Sequence, residues 1–173
     1  MRLGVICPSE IAFRRFAPAL QQCPDLQFVG IGVLKKEELS ASSEIGNDVF
    51  NEILQNERNK AQSFIDQYGG KIFDGYETIA SSPEIDALYI PLPPALHFQW
   101  AKKALEHGKH VLLEKPSTTS ASETKDLVET AKKHGLALHE NYMFTFHEQI
   151  NTINEIVKHI VLFIRFKRER ICL

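Results

Sequence analysis

A carboxylate, an ammonium and a proline follow one another directly after a short apolar segment of the chain. Residues 110–113 have strand character, and Glu114, Lys115 and Pro116 come immediately behind them. Pro116 fixes its own φ and disfavours helical backbone at Lys115, so the two charges are expected to project from a strand end. Ligands of open α/β sheets lie outside the carboxyl ends of the strands. Glu114 and Lys115 are therefore candidate site residues, and a surface charge pair that ends a strand is the alternative interpretation.

Composition excludes several classes of function. The chain has 173 residues and a formal net charge of −2, which gives no reason to expect nucleic acid or an anionic membrane as a partner. Cys7, Cys23 and Cys172 are too few and too scattered for a disulfide framework or a zinc site, so a reducing, cytoplasmic setting is the simplest interpretation. No apolar segment approaches the roughly 20 residues of a membrane span.

Strand and helix patterns alternate along most of the chain. Short apolar segments bounded by glycine or proline predict strands at 2–7, 26–34, 71–73, 86–90, 110–113 and 136–139. Helical periodicity falls between them, at 9–22, 48–68, 95–107, 118–134 and 147–159. This alternation predicts the α/β class with a doubly wound parallel Rossmann sheet. We expect the strand order 3-2-1-4-5-6, with a ligand crevice above the first and fourth strands.

The last residues do not fit this alternation. Residues 160–173 form an apolar segment with a basic end, which predicts one more strand that has no continuation. We therefore expect a dinucleotide-binding domain over residues 1–145 and the start of a truncated second domain over residues 146–173, with the C-terminal substrate domain missing. The apolar surface around residues 160–166 predicts self-association, and hence a homo-oligomer.

Three segments carry a resemblance to a known family. They are residues 88–97, with Pro91-Leu92-Pro93-Pro94 and a histidine, residues 104–116, with Gly-Lys-His-Val before Glu-Lys-Pro, and residues 140–144. Together they resemble the Gfo/Idh/MocA family of NAD(P)-dependent oxidoreductases, in particular its glucose-fructose oxidoreductase and dihydrodiol dehydrogenase branch. The resemblance implies a Rossmann domain that binds NAD or NADP and a C-terminal α/β domain that forms the substrate site.

The resemblance also implies roles for individual residues. Lys115 corresponds to the motif lysine, which stabilises the negative charge that develops when hydride passes between a sugar-type carbinol and a nicotinamide. Glu114 would orient Lys115 or bond to the nicotinamide ribose. His97 and Asn141 would line the cofactor site, or else be a satisfied, partly buried histidine and a polar loop residue. The other residues implied to contact the cofactor are Cys7, Ser9, Glu10, Ile11, Lys35, Pro91, Leu92 and Pro93.

The turn after the first strand departs from the family pattern. Where the family has Gly-x-Gly-x-x-Ala or -Gly, this chain has Cys7-Pro8-Ser9-Glu10-Ile11-Ala12. Glycine lets the backbone approach the pyrophosphate closely, whereas Cys7 and Ser9 carry a Cβ and Glu10 adds a negative charge. Ser9 could instead bond to a phosphate oxygen. We expect dinucleotide binding through this turn to be weak.

The segment after the second strand departs as well. Lys35 and Lys36 stand where an acid would bond to the ribose 2′-hydroxyl of NAD. Basic residues favour the 2′-phosphate of NADP, so the sequence leans towards NADP, and a solvated pair of loop charges is the alternative interpretation. Pro93-Pro94 replaces the family's proline-asparagine, which removes one polar contact near the nicotinamide.

The resulting hypothesis is an NAD(P)-dependent oxidoreductase that acts on a sugar or cyclic polyol. Because the general base of the family belongs to the second domain, we expect this chain to be a truncated form without turnover. The alternative is a non-catalytic Rossmann-like module that binds a nucleotide loosely or serves as an interaction partner. The altered glycine turn favours the module, and the intact Glu114-Lys115-Pro116 favours the enzyme.

Overall fold

The computed structural model describes residues 1–38 and 47–169. Contacts divide the chain into two compact units, residues 1–141 and residues 142–173. The second unit contains a 3₁₀ turn, Met143–Phe146, and the long helix α6, Glu148–Glu169. In the described part of the chain, no helix is long and apolar enough to cross a membrane.

The first unit is a six-stranded sheet with helices between its strands. Its strands are β1 (Arg2–Ile6), β2 (Gln27–Val33), β3 (Lys71–Asp74), β4 (Ala87–Ile90), β5 (His110–Leu113) and β6 (Leu138–Glu140). Its α-helices are α1 (Ala17–Leu20), α2 (Asn47–Tyr68), α3 (Tyr76–Ser81), α4 (Pro94–Glu106) and α5 (Ala121–His134). A π-helical segment, Ala12–Phe16, leads into α1, and a 3₁₀ turn, Lys36–Glu38, follows β2.

The strand order is β3-β2-β1-β4-β5-β6, and every neighbouring pair is parallel. This confirms the predicted fold class and strand order. The direction of winding reverses between β1 and β4, so the two halves of the sheet meet along one seam, Leu3–Val5 against Ala87–Tyr89. Arg2 and Asp86 fasten the amino end of the seam, with Arg2 Nη2 2.6 Å from the Asp86 carboxylate.

Helices cover both faces of the sheet. Neighbouring residues of a strand point to opposite faces, so Val5 joins one core and Ile6 the other. The π-helical segment, α1 and α2 pack on the first face, around Ile31, Phe64 and Tyr89. Helices α3, α4 and α5 pack on the second face around a core that includes Tyr76, Ile79, Leu88, Trp100, Leu105 and Leu127. Because both faces are covered, the strands are nearly continuous apolar segments, which is why the sequence reveals them.

The predicted strand over residues 160–173 is wrong as far as the structure describes it. Helix α6 continues through Glu169, and residues 170–173 lie outside the described part of the chain. Ile153, Ile156, Val157 and Ile160 recur at helical spacing along α6 and are exposed. No glycine or proline interrupts residues 148–169, and a short apolar segment cannot by itself distinguish a strand from a helix.

Cys7, directly after β1, has a left-handed backbone with φ 74°. It is the one non-glycine residue with positive φ in the described parts of the chain. A side chain in this conformation costs roughly 1–2 kcal/mol, whereas glycine adopts it freely. The Cys7 N–H donates to Gly32 O and the Ser9 N–H donates to Cys7 O, which holds the turn on both sides. The turn therefore keeps a backbone suited to glycine although the glycine is gone.

We predict that a Cys7→Gly variant is more stable than a Cys7→Ala variant by about 1 kcal/mol. Both variants lose the thiol, but only glycine removes the Cβ that opposes the left-handed backbone. At an ordinary position the order is reversed, since glycine gains more entropy on unfolding than alanine does. Urea unfolding of the two variants measures the difference, and an alanine variant that is the more stable one would show that no strain is stored at this position.

Candidate functional site

The carboxyl ends of the parallel strands meet along one edge of the sheet, above the seam between β1 and β4. The segments that leave the strands at this edge are residues 7–11, 34–38, 91–93, 114–117 and 141. Each predicted site residue except His97 lies on one of these segments, and His97 lies in the first turns of α4. The fold thus collects the predicted residues at one edge.

Glu114 is the centre of a buried hydrogen-bond network at this edge. Its side chain is 7% exposed, and its Oε1 accepts the Tyr89 O–H at 2.6 Å and an Asn141 Nδ2–H at 2.7 Å. Burial and the bond to Glu114 raise the pKa of Tyr89 above its ordinary value, so the phenol stays a donor. Sequence reasoning missed Tyr89. The register that sets Tyr89 beside Leu112 puts it on the same face as Glu114, two residues further on, and this parity is the signal that could have found it.

Lys115 is exposed beside this network. With the side chains of residues 1–38 and 48–160 it forms no ion pair, and its backbone N–H lies 3.4 Å from Glu114 Oε2. The peptide bond to Pro116 is cis, and the next residue, Ser117, donates its N–H to Glu140 Oε1 at 2.6 Å. The turn after β5 is thus held by carboxylates on both sides of the exposed ammonium.

His97 joins the turn after β4 to the turn after β5. Its side chain is fully buried, with Nδ1 2.9 Å from Pro116 O and Nε2 2.6 Å from Leu92 O. A neutral imidazole can donate to one of these carbonyls and an imidazolium to both. The geometry matches the interpretation as a satisfied, buried histidine, and a contact with the cofactor stays a prediction. Pro91 and Leu92 are also buried, whereas Pro93 is exposed.

The turn after β1 offers few donors to a phosphate. Pro8 has no N–H, and the Ser9 N–H is engaged with Cys7 O at 2.9 Å. The Ser9 Oγ accepts the N–H at the start of the π-helical segment, as a helix cap does. Glu10 forms an exposed ion pair with Arg14 at 3.3 Å, which offsets part of the negative charge.

Cys7 and Ile11, on the same turn, are half-buried. Burial, and the negative charge of Glu57 next to it, raise the pKa of the Cys7 thiol to about 11. The thiol is therefore protonated at neutral pH and is not a nucleophile there. Its place at this edge is set by packing and by the shape of the turn.

Glu38 binds the backbone at the ends of β2 and β3. Its carboxylate accepts the N–H groups of Lys35 at 2.9 Å, Tyr76 at 2.9 Å and Glu77 at 2.7 Å. The residue before α3 is Gly75, which has no side chain to cap the helix, so Glu38 supplies the cap from another segment. This ties the segment that carries Lys35 to the start of α3.

Glu57 reaches from α2 to the end of β2. Its Oε1 accepts the Leu34 N–H at 3.0 Å and the Tyr76 O–H at 2.7 Å. Burial raises the pKa of Glu57, while these two bonds act in the opposite direction, and burial raises the pKa of Tyr76 well above its ordinary value. Sequence reasoning missed Glu57, although it precedes the buried Ala61 and Phe64 at helical spacing and so lies on the core face of α2.

The predicted basic pair after β2 is engaged with neighbouring groups. Lys35 Nζ lies 3.7 Å from Asp74 Oδ2, at the end of β3, and Asp74 also pairs with Arg58. Lys36 Nζ lies over the Phe50 ring, 5.9 Å from its centroid. Across the described residues, no group of histidine, cysteine and acidic side chains is arranged to hold a metal ion.

We predict that His97→Ala lowers the free energy of unfolding by about 3 kcal/mol, because it opens a cavity and removes the donor from buried carbonyl oxygens. His107→Ala is the matched control, since His107 lies exposed at the end of the same helix, where its ring bonds to Lys103 O. We expect the control to cost less than about 1 kcal/mol. Urea unfolding measures both, and equal losses would contradict the structural role of His97.

The chain is similar to a family of known oxidoreductases. The model of the family GFO_IDH_MocA, described as an oxidoreductase family with an NAD-binding Rossmann fold, matches residues 25–142. The chain is 34% identical over 91% of its length to the dTDP-3,4-didehydro-2,6-dideoxy-alpha-D-glucose 3-reductase of Streptomyces violaceoruber, and it covers 40% of that protein. The enzyme of the same name from Saccharopolyspora spinosa is 32% identical, over 91% of this chain and 41% of its own length.

Solved structures include proteins with a similar fold and sequence. A 3-ketoreductase from Actinomadura kijaniata, in complex with NADP and TDP-benzene, is 33% identical with a TM-score of 0.74. The match covers 92% of this chain and 42% of that protein. The chain therefore spans about two fifths of the relatives that it matches.

Proposed function

This chain belongs to the Gfo/Idh/MocA oxidoreductase family, and on that premise we propose that its residues 1–145 bind a nicotinamide dinucleotide for hydride transfer to or from a sugar. The observation that carries the proposal is the exposed Lys115 beside the buried Glu114 network, at the edge where such sheets bind ligands. The nicotinamide, when bound, supplies or accepts the hydride. The residues of this chain hold it and set the charge around it.

The two ends of the crevice fit a dinucleotide unequally. At the β4–β5 end, an unpaired ammonium, a preorganised carboxylate and the amide of Asn141 stand together, within the described residues. Lys115 would stabilise negative charge on the reacting oxygen of the substrate, and Glu114 would hold the Lys115 backbone in place. At the β1 end, Pro8 and Ser9 leave fewer N–H donors for the pyrophosphate. The proposed site therefore binds the dinucleotide mainly through its nicotinamide and adenosine ends, and less through its pyrophosphate.

The proposed substrate is a sugar ketone or the corresponding alcohol, free or linked to a nucleotide. The names of the relatives support this class, because they describe enzymes that reduce the 3-position of a dTDP-linked keto sugar. D-xylose 1-dehydrogenase (NADP(+)) 2 of Haloferax volcanii, 35% identical over 61% of this chain, supports the same class of carbinol chemistry. Cyclic polyols remain within it, as in the scyllo-inositol 2-dehydrogenase (NADP(+)) of Bacillus subtilis, 38% identical over 51% of this chain.

A second candidate function is a nucleotide-binding module without catalysis. The strained Cys7 and the engaged N–H groups of the β1 turn favour it. Absorbance of the reduced nicotinamide is followed after addition of a dTDP-linked keto sugar, and its decay would identify an oxidoreductase in this chain alone. Without decay, the effect of Lys115→Met on cofactor binding, given next, separates a nicotinamide site from a nucleotide-binding module.

We predict that Lys115→Met improves the binding of oxidised cofactor relative to reduced cofactor by about three- to tenfold. The oxidised nicotinamide carries a positive charge, and an exposed ammonium about 4 Å away repels it by roughly 1 kcal/mol in water. The single tryptophan, Trp100, is 3% exposed on α4 and can transfer excitation to a reduced nicotinamide, which reports its binding directly. Competition by the oxidised form then gives the ratio of the two dissociation constants.

Lys125→Met is the control for this prediction, because Lys125 lies exposed on α5 and pairs with Glu129. It should leave the ratio unchanged. An unchanged ratio in Lys115→Met as well would place Lys115 away from the nicotinamide. Absence of any saturable signal would contradict dinucleotide binding altogether.

A further inference from the structure

We propose that Glu57 selects the cofactor: its carboxylate accepts the 2′-hydroxyl of the adenosine ribose of NAD and repels the 2′-phosphate of NADP. The inference rests on the proposed dinucleotide-binding function. In many Rossmann domains, an acid directly after the second strand has this task. Here the sequence has no acid at that place, and the fold delivers one from α2 instead.

The position of the carboxylate carries the proposal. Glu57 Oε1 lies 3.0 Å from the Leu34 N–H, which is the first backbone group beyond β2. It also accepts the O–H of Tyr76, a member of the core cluster against which Cys7 packs, and the turn beyond β1 begins at Cys7. The adenosine ribose of a dinucleotide binds between these two strand ends. A chain segment 23 residues away from Leu34 thus puts a carboxylate where a ribose hydroxyl would arrive.

The carboxylate is held in place before any ligand binds. Tyr76 donates its O–H to Oε1 at 2.7 Å, and the Tyr76 ring is buried against Trp100 with their centroids 5.4 Å apart. On α2 itself, Ala61 and Phe64 are almost completely buried on the same face as Glu57. An acceptor fixed by both layers of the fold loses little entropy when it binds a hydroxyl.

The charges around Glu57 oppose a phosphate. A 2′-phosphate carries about −1.5 to −2 charges, and it would approach the Glu57 carboxylate and the acidic Glu38, whose carboxylate accepts the N–H of Tyr76. Lys35 and Arg58 are both held by Asp74, and the exposed Lys60 on α2 offsets only part of the negative charge. This balance opposes the lean towards NADP that Lys35 and Lys36 give to the sequence. It also predicts that this chain differs from the 3-ketoreductase of known structure, which was crystallised with NADP.

Calorimetric titration of the 173-residue chain with NAD and with NADP tests the proposal. We expect NAD to bind at least about tenfold more tightly. Glu57→Gln keeps the shape of the side chain and an oxygen acceptor for Leu34 and Tyr76, but it removes the charge. In this variant, NADP should bind about tenfold more tightly than to the unaltered chain, and NAD several-fold more weakly, so that the preference disappears.

Two further variants control the result. Asp66→Asn removes a carboxylate from the same helix, about 13 Å farther along it, where Asp66 is exposed and bonded to Gln62. It should leave the preference unchanged. Glu57→Asp keeps the charge on a shorter side chain and should still reject NADP. Thermal unfolding of each variant shows that the comparison is made between folded proteins.

The outcomes separate this inference from the proposed function. If the unaltered chain prefers NADP, or if Glu57→Gln leaves the ratio of the two dissociation constants unchanged, Glu57 does not select the cofactor, while dinucleotide binding stands. If neither cofactor binds, both the proposed function and this inference are wrong. A preference that disappears in Glu57→Gln and survives in Glu57→Asp and Asp66→Asn supports the role of the charge.

Discussion

Where the chain leaves the strands at the carboxyl edge of the parallel sheet, its backbone N–H groups need hydrogen-bond acceptors. In this molecule, side-chain carboxylates are among these acceptors. Glu57 accepts from Leu34, and Glu140 accepts from Ser117. A buried N–H without a partner costs about 1–3 kcal/mol, so these side chains are part of the fold before they are part of any site. The same side chains give the crevice its negative charge, against which the exposed Lys115 stands out. The charges that a ligand would meet at this edge thus come largely from side chains that also accept hydrogen bonds from the backbone there.

Much of the fold could be predicted because its signals are local. Strands buried on both faces are short apolar segments, and glycine and proline mark where they end. The site could be predicted only as far as its residues follow the strands in sequence, as Glu114, Lys115 and Asn141 do. Glu57 lies outside that reach, since its contact with Leu34 joins residues 23 positions apart. Local signals also fail where helix and strand share a composition, as in α6 beyond residue 160.

The turn after β1 shows how a motif can lose its residues and keep its shape. Cys7 retains the left-handed backbone that glycine would adopt without strain. The Ser9 N–H and Oγ are both engaged within the turn, and Pro8 has no N–H to give. In the proposed site, pyrophosphate recognition through backbone donors would therefore be reduced, and the ribose and nicotinamide ends of the crevice would contribute more of the binding. The discriminating contacts would then lie at Glu57 and Lys115, on opposite sides of the seam.

The pairing of β1 with β4 joins the neighbouring strands that lie farthest apart in sequence. Arg2 and Asp86, which meet at this pairing, are 84 residues apart. The other four strand pairings of the sheet each join strands that are consecutive in sequence. Closing the longest loop costs the most chain entropy, and contacts of high sequence separation slow folding. The crevice exists only in molecules in which the two halves of the sheet are paired. A dinucleotide that binds there would recognise only these molecules, and its binding would draw the folding equilibrium towards them.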